Sequence, residues 1–212
     1  MSVDAIVFDL DGTLVDSHRD IMTSVLMALA DQGLDQLSLA DLDPYLGFPL
    51  SELYAELLPK GGKRGLQRFV HLYRAHYCDH CADTTRPYAG IVDLLDALAG
   101  RALAVATAKP TWSAVQILER LGLAERFTFI TGSENHKSKP DPGVLLHACQ
   151  KLGVAPGKAT MIGDTDRDVQ AAQAAGMRAV AVTWGGWSRE KLAPLGPDAL
   201  VDEPAEILKL VQ

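Results

Sequence analysis

Five short apolar runs set the frame of this chain: Ala5 to Phe8, Ala102 to Ala106, Phe127 to Ile130, Thr160 to Ile162 and Ala179 to Val182. Each is too short for a helix and apolar at consecutive positions, as a strand covered on both faces requires. From the second run onward they alternate with helical patterns. Ser113 to Leu121 repeats Val115, Leu118 and Leu121, and Gly143 to Leu152 repeats Val144, Leu145, Ala148 and Leu152. Asp166 to Ala175 is Ala-rich and is followed by Gly176, a residue suited to a left-handed C-cap. Strands alternating with helices predict an α/β fold, a doubly wound Rossmann-like parallel sheet.

The stretch between the first and second runs breaks this rhythm. It carries no clear strand and reads as several helices, roughly Arg19 to Gln32, Ser38 to Tyr45, Ser51 to Leu58 and Leu66 to Cys81. A single crossover needs only one helix, so the segment predicts an inserted all-α cap subdomain. The expected division is residues 1–15 and 88–212 for the core and 16–87 for the cap, with linkers at Thr13 to His18 and Thr84 to Gly90. Gly61-Gly62-Lys63-Arg64-Gly65 reads as a mobile loop inside the insert.

Composition narrows the partners. Hydrophobic residues make up 48% of the 212 positions, enough for a core without disulfide staples. A formal net charge of -7 argues against a general nucleic-acid binder, which needs a basic stripe to displace counterions. It leaves room for an anionic substrate at a locally positive site. Three cysteines, Cys78, Cys81 and Cys149, suit a reducing compartment. No leader pattern opens the chain and no apolar stretch is long enough to span a bilayer. The expectation is a cytoplasmic monomer or homodimer with no nucleic-acid or membrane partner.

The polar residues that end the strands carry the chemistry. The first run ends in Asp9-Leu10-Asp11-Gly12-Thr13, the second in Thr107-Ala108-Lys109-Pro110, and the fourth in Gly163-Asp164-Thr165-Asp166-Arg167-Asp168. Ligands of open α/β sheets bind outside the carboxyl ends of the strands. Asp9 and Asp11 are two apart and face one side of an ideal strand, and Asp164 joins them from a neighbour. Carboxylates crowded in one crevice repel and drift towards protonation. A hard divalent cation relieves this, and Mg²⁺ with few protein ligands usually has a phosphate as its remaining partner. Each motif also has a bland explanation. Asp-Gly marks a turn, Asp164 is a candidate helix N-cap, and Thr107 taken alone is an ordinary strand-end hydroxyl. Lys139, held extended before Pro140, could neutralise phosphate and nucleophile charge; by chemistry alone Lys137 competes with it.

With these motifs in view, the chain resembles the haloacid dehalogenase superfamily of hydrolases, in the branch with a helical cap. Four motifs match in order: Asp9-Leu-Asp-Gly-Thr-Leu-Val-Asp-Ser17, Thr107, Lys139-Pro-Asp-Pro142 and Gly163-Asp-Thr-Asp-Arg-Asp168. Arg86-Pro-Tyr-Ala-Gly90 resembles the family's cap-to-core linker. Val15-Asp-Ser17, Ala106-Thr-Ala-Lys-Pro110 and Val182-Thr-Trp-Gly-Gly186 resemble its phosphoglycolate-phosphatase-like branch. Ala108 departs from the Asn or Ser common in the second motif, which removes a side-chain contact and spares the backbone N–H.

The resemblance implies a Mg²⁺-dependent phosphatase acting on a small phosphorylated metabolite, with 2-phosphoglycolate as a candidate. Asp9 would attack phosphorus and Asp11 would serve as acid and then base. Asp9, the Asp11 carbonyl and Asp164 would hold the metal, with Asp168 orienting a metal water or Lys139. Thr107, Lys139 and the Ala108 backbone would hold the phosphoryl oxygens. The acid/base Asp11 argues for phosphoryl transfer over dehalogenation.

Alternatives on the same scaffold are a sugar-phosphate mutase of the β-phosphoglucomutase kind, a pyrophosphatase or nucleotidase, and a catalytically dead binding module. Mutase relatives carry basic residues in the Leu46 to Leu50 region, and none is present there. Lys60, Lys63, Arg64 and Arg68 are the cap residues expected to select the substrate. Cys78-Asp79-His80-Cys81, with His71 and His76 upstream, invites a zinc or redox reading. It lacks a second ligand pair, so thiols packed within a helix are the expectation. Trp184 and Trp187 are expected to pack near the rim of the site.

Overall fold

The computed structural model describes residues 3–45, 48–134 and 136–211. In chain order the elements are β1 (Ala5–Phe8), β2 (Val15–Asp16), α1 (His18–Ala30), α2 (Leu39–Leu42), α3 (Leu50–Leu57) and α4 (Gly62–His80), then β3 (Arg86–Pro87), α5 (Ile91–Ala97) and β4 (Ala102–Ala106). They continue with α6 (Thr111–Arg120), β5 (Phe129–Thr131), α7 (Gly143–Leu152), β6 (Ala159–Gly163), α8 (Asp166–Ala175), β7 (Arg178–Val182), α9 (Arg189–Leu192), β8 (Ala199–Val201) and α10 (Pro204–Leu210). Two compact units result, one of Met1–Asp16 with Arg86–Gln212 and one of Ser17–Thr85.

The first unit is a six-stranded sheet in the order β5-β4-β1-β6-β7-β8, parallel at every pairing. This is the doubly wound α/β fold that the apolar runs predict. All four residues of β1 are buried, and so are all five of β6. Alanines 5, 104, 106, 179 and 181 on the strands meet Val144, Leu145, Ala148, Val169, Ala171 and Ala172 of α7 and α8 in one core. Small residues on the strands let the helices approach closely. Both helices end at a left-handed glycine, Gly153 and Gly176, where an absent Cβ removes the steric cost.

The third run and the far edge of the sheet differ from expectation. The third run pairs as Phe129–Thr131, later than Phe127, because the Phe127 N–H bonds to Ala124 O and closes a turn before the strand begins. A sixth strand, β8, escapes the pattern because it has three residues at a half-covered edge.

The second unit is all-helical. Its Gly-rich segment is not the loop that its composition predicts, since α4 starts at Gly62. These glycines serve close approach. A Cβ at Gly61 or Gly65 would lie 2.0 or 2.1 Å from the Tyr54 hydroxyl. That hydroxyl donates to Gln32, whose amide donates in turn to Gly65 O. Cys81 is buried and Cys78 half-buried. All four candidate selectors, Lys60, Lys63, Arg64 and Arg68, are exposed, and Arg68 also forms a bidentate surface pair with Asp31. Leu46 and Gly47, part of the segment weighed for a mutase, lie outside the described residues. Among the described residues no helix is long and apolar enough to cross a membrane.

Candidate active site

Strand register delivers the site. Phe8, the last residue of β1, lies opposite Val105 on one side and Ile162 on the other. One step further along the three central strands come Asp9, Ala106 and Gly163, and one more step reaches Thr107 and Asp164. The Asp9 N–H donates to Ile162 O at 2.8 Å and extends the pairing past the strand. The chain runs outward from β1 through β4 to β5, then returns to β6 on the other side. The cluster therefore sits at the carboxyl edge where the strand order reverses, the usual ligand position in such sheets.

Lys139 is the hub. Its side chain is 3% exposed, and its ammonium donates to Asp9 Oδ1 at 2.7 Å, Asp168 Oδ1 at 2.5 Å and Ala106 O at 3.2 Å. Lys137 is exposed, so packing separates two lysines that chemistry alone leaves equivalent. Asp168 is fully engaged, because its Oδ2 takes the Thr165 hydroxyl at 2.7 Å and the Thr165 N–H at 3.1 Å. Thr165, not Asp164, is thus the N-cap of α8. Asp164 is occupied elsewhere. Its Oδ1 accepts from the Thr13 hydroxyl at 3.0 Å, and its Oδ2 from the Gly186 N–H at 2.7 Å. Gly12, at φ +79°, passes so close that a Cβ there would lie 2.2 Å from Asp164 Oδ2.

Charge at the site does not balance. Carboxylate oxygens of Asp9, Asp164 and Asp168, all buried, lie within 4.8 Å of one another, and one ammonium faces them. Burial and the neighbouring Asp168 and Asp164 charges push Asp9 up to about 8, against the pull of Lys139. Burial and Asp168 likewise push Asp164 up to about 7, opposed by the Gly186 and Thr13 donors. Burial alone would pull Lys139 down; Asp168 and Asp9 outweigh it and hold the ammonium above the usual lysine value. Asp9 Oδ2 takes no hydrogen bond among the described residues. Surplus buried carboxylate, all-oxygen donors and an uncommitted oxygen fit a hard divalent cation. Among the described residues this is the one cluster of three or more metal-ligating side chains, so the Cys78 to Cys81 segment does not form one.

The remaining predicted residues surround this centre. Thr107 is buried; its N–H donates to Thr131 O, and its hydroxyl oxygen accepts the Lys109 N–H at 3.2 Å. Its O–H finds no acceptor among the described residues. The Asp11 carboxylate stands outside the three-carboxylate cluster and faces the Lys109 ammonium at 3.4 Å. Trp184 donates its indole N–H to Thr13 O at 3.0 Å and so buttresses the first motif. Sequence reading assigned no part to Thr13, Lys109 or Gly186, although all three lie within its motifs. Their partners are 151, 98 and 22 positions away, and no local pattern reveals such pairs.

Known proteins resemble this chain along most of its length. The profile of the family described as haloacid dehalogenase-like hydrolase matches residues 6–182. The chain belongs to that family. It is 35% identical to a phosphoglycolate phosphatase of Chromobacterium violaceum, over 99% of this chain and 97% of that one. It is 33% identical to an N-acetylmuramic acid 6-phosphate phosphatase of Pseudomonas aeruginosa, over 100% and 96%. Among solved structures, a haloacid dehalogenase-like hydrolase from Streptococcus pneumoniae superposes with a TM-score of 0.88 at 30% identity, covering 99% of both chains.

Proposed function

We propose that this protein is a Mg²⁺-dependent phosphatase that hydrolyses a small phosphate monoester through an aspartyl-phosphate on Asp9. The observation that carries the reading is Asp9 itself. It is a buried carboxylate with one oxygen fixed by Lys139 and the other without a hydrogen bond among the described residues, beside two further carboxylates at a sheet switch point.

Each residue has a task. Asp9 attacks phosphorus as the ester P–O bond breaks, and Asp11 gives its proton to the departing oxygen. Asp11 then takes a proton from water, whose oxygen bonds phosphorus and releases Asp9. Lys139, already charged and fixed, offsets the phosphoryl charge without reorganising. Thr107 and the backbone N–H groups that follow it bind phosphoryl oxygens. Mg²⁺, held by Asp9, Asp164 and the Asp11 carbonyl, would supply charge neutralisation at the phosphoryl group. Asp168, with both oxygens committed, orients Lys139. Substrate choice is assigned to Lys60, Lys63, Arg64 or Arg68 of the helical unit, all four of them exposed.

2-Phosphoglycolate is the first candidate substrate, since several of the similar phosphatases carry that name. A relative of equal identity named for a sugar phosphate puts N-acetylmuramic acid 6-phosphate beside it. The test is phosphate release from both, from glucose phosphates, pyrophosphate and nucleotides, with Mg²⁺ and with EDTA. Mg²⁺-dependent release from a monoester is expected. Release unaffected by EDTA, or none from any ester, would overturn the reading.

A further inference from the structure

We propose that Lys109 is a positioning residue for Asp11, holding the acid/base carboxylate towards the leaving group; this rests on the role given to Asp11 above. Lys109 lies two residues past Thr107, at the end of β4. Its side chain is 13% exposed, little for a lysine, and its ammonium stands 3.4 Å from Asp11 Oδ2, which is itself 25% exposed. An ion pair at a partly open rim adds little to stability; what it fixes is the direction of the Asp11 carboxylate.

The backbone of Lys109 is fixed before its side chain acts. Its N–H donates to the Thr107 hydroxyl oxygen at 3.2 Å, and its carbonyl accepts the Ser133 N–H at 3.0 Å. The preceding carbonyl, of Ala108, accepts the Ser133 hydroxyl at 2.7 Å. Pro110 follows and opens α6. One residue is therefore joined to both halves of the chemistry: the main chain sets the phosphate-facing hydroxyl, and the ammonium sets the acid. When Asp11 gives up its proton, the carboxylate formed faces a cation already in place.

A merely structural lysine and a positioning lysine differ in how they respond to the leaving group. p-Nitrophenolate departs without protonation, whereas benzyl alcohol needs the acid. kcat/KM reports the steps through departure of that group, so the two esters are compared on wild type, Lys109→Met, Lys109→Arg and Asp11→Asn, all with Mg²⁺. Acid/base groups contribute ~100-fold or more, so Asp11→Asn should lose about that on benzyl phosphate and far less on p-nitrophenyl phosphate. Lys109→Met should show the same selective loss, ~10-fold on the benzyl ester, with an unchanged melting temperature, because only part of the acid's contribution is positional. Lys109→Arg should recover most of it. Equal losses on both esters, or none, in Lys109→Met beside a selective loss in Asp11→Asn would overturn the positioning role alone. No selectivity in Asp11→Asn would remove the acid/base reading and the positioning role together.

Discussion

Two buried aspartates, one in each unit, show what separates a structural carboxylate from a chemical one. Asp20, in α1 of the helical unit, is as little accessible to solvent as Asp164 in the sheet unit, but it lies nearer the surface of the protein. Its oxygens receive the N–H and hydroxyl groups of both Thr84 and Thr85. Burial alone would raise it; these donors outweigh burial and hold it below the ordinary carboxylate value. Asp9 and Asp164 have fewer donors and sit among other carboxylates, so burial wins and both are raised. Low solvent access is common to the two regions; the depth of burial and the balance of donors are not. A carboxylate with a full set of donors closes a fold, and one left short is ready for a cation or a substrate.

Substituting asparagine on each side is the severest way to break the contrast. Asp9→Asn should lower turnover by ~10⁴-fold or more, as loss of a nucleophile does, while the melting temperature holds or rises because burial already disfavours the charged carboxylate. Turnover close to wild type would end the assignment of Asp9. Removing the hub comes next. Lys139→Met should cost ~10²–10³-fold in kcat, the scale for a fixed charge-stabilising group, read by steady-state kinetics at saturating Mg²⁺.

Asp20→Asn should do the reverse of Asp9→Asn. It leaves four donors facing a weaker acceptor, so ~1–3 kcal/mol of stability is lost with kcat per folded molecule unchanged. Urea titration beside active-site counting checks both halves.

The smallest effect is the pH dependence, and its sign differs between the regions. Asp9 and Asp164 of the metal-free protein titrate near 8 and 7, above their ordinary 3.8. The stability their neutral forms contribute is present below pH 3.8 and is lost as pH rises to about 8. Asp20 lies below 3.8; its contribution is present above that value and lost only as pH falls through its lowered pKa. Mg²⁺ should therefore raise the melting temperature more at pH 8 than at pH 5, by ~2–4 °C for each kcal/mol in a chain of this size. An equal rise at both values would mean that the cation does not bind these carboxylates.

How much of this was legible in the sequence depended on the range of the interactions. Parallel strands covered on both faces need consecutive apolar residues, so β1, β4, β6 and β7 stand out, while three-residue β8 at the edge does not. Asp9, Asp11, Asp164 and Lys139 were visible because each lies in a motif at a strand end or before a proline. The Gly61 to Gly65 segment misled because glycine composition is the same for a loop and for a close contact. Only the place of Tyr54, folded against it from α3, tells the two apart.

The sequence by itself determined the fold class and the residues available for the chemistry, because periodicity and motif spacing are local properties of the chain. Tertiary structure alone decided how those residues divide the work. It buried Lys139 and left Lys137 exposed, made Thr165 the cap and turned Asp164 to Thr13 and Gly186, joined Asp168 to Lys139, and set Lys109 against Asp11. The physical reason is that an electrostatic role follows from distance and burial, and partners such as Lys139 and Asp9, 130 positions apart, meet only when the sheet register brings them together.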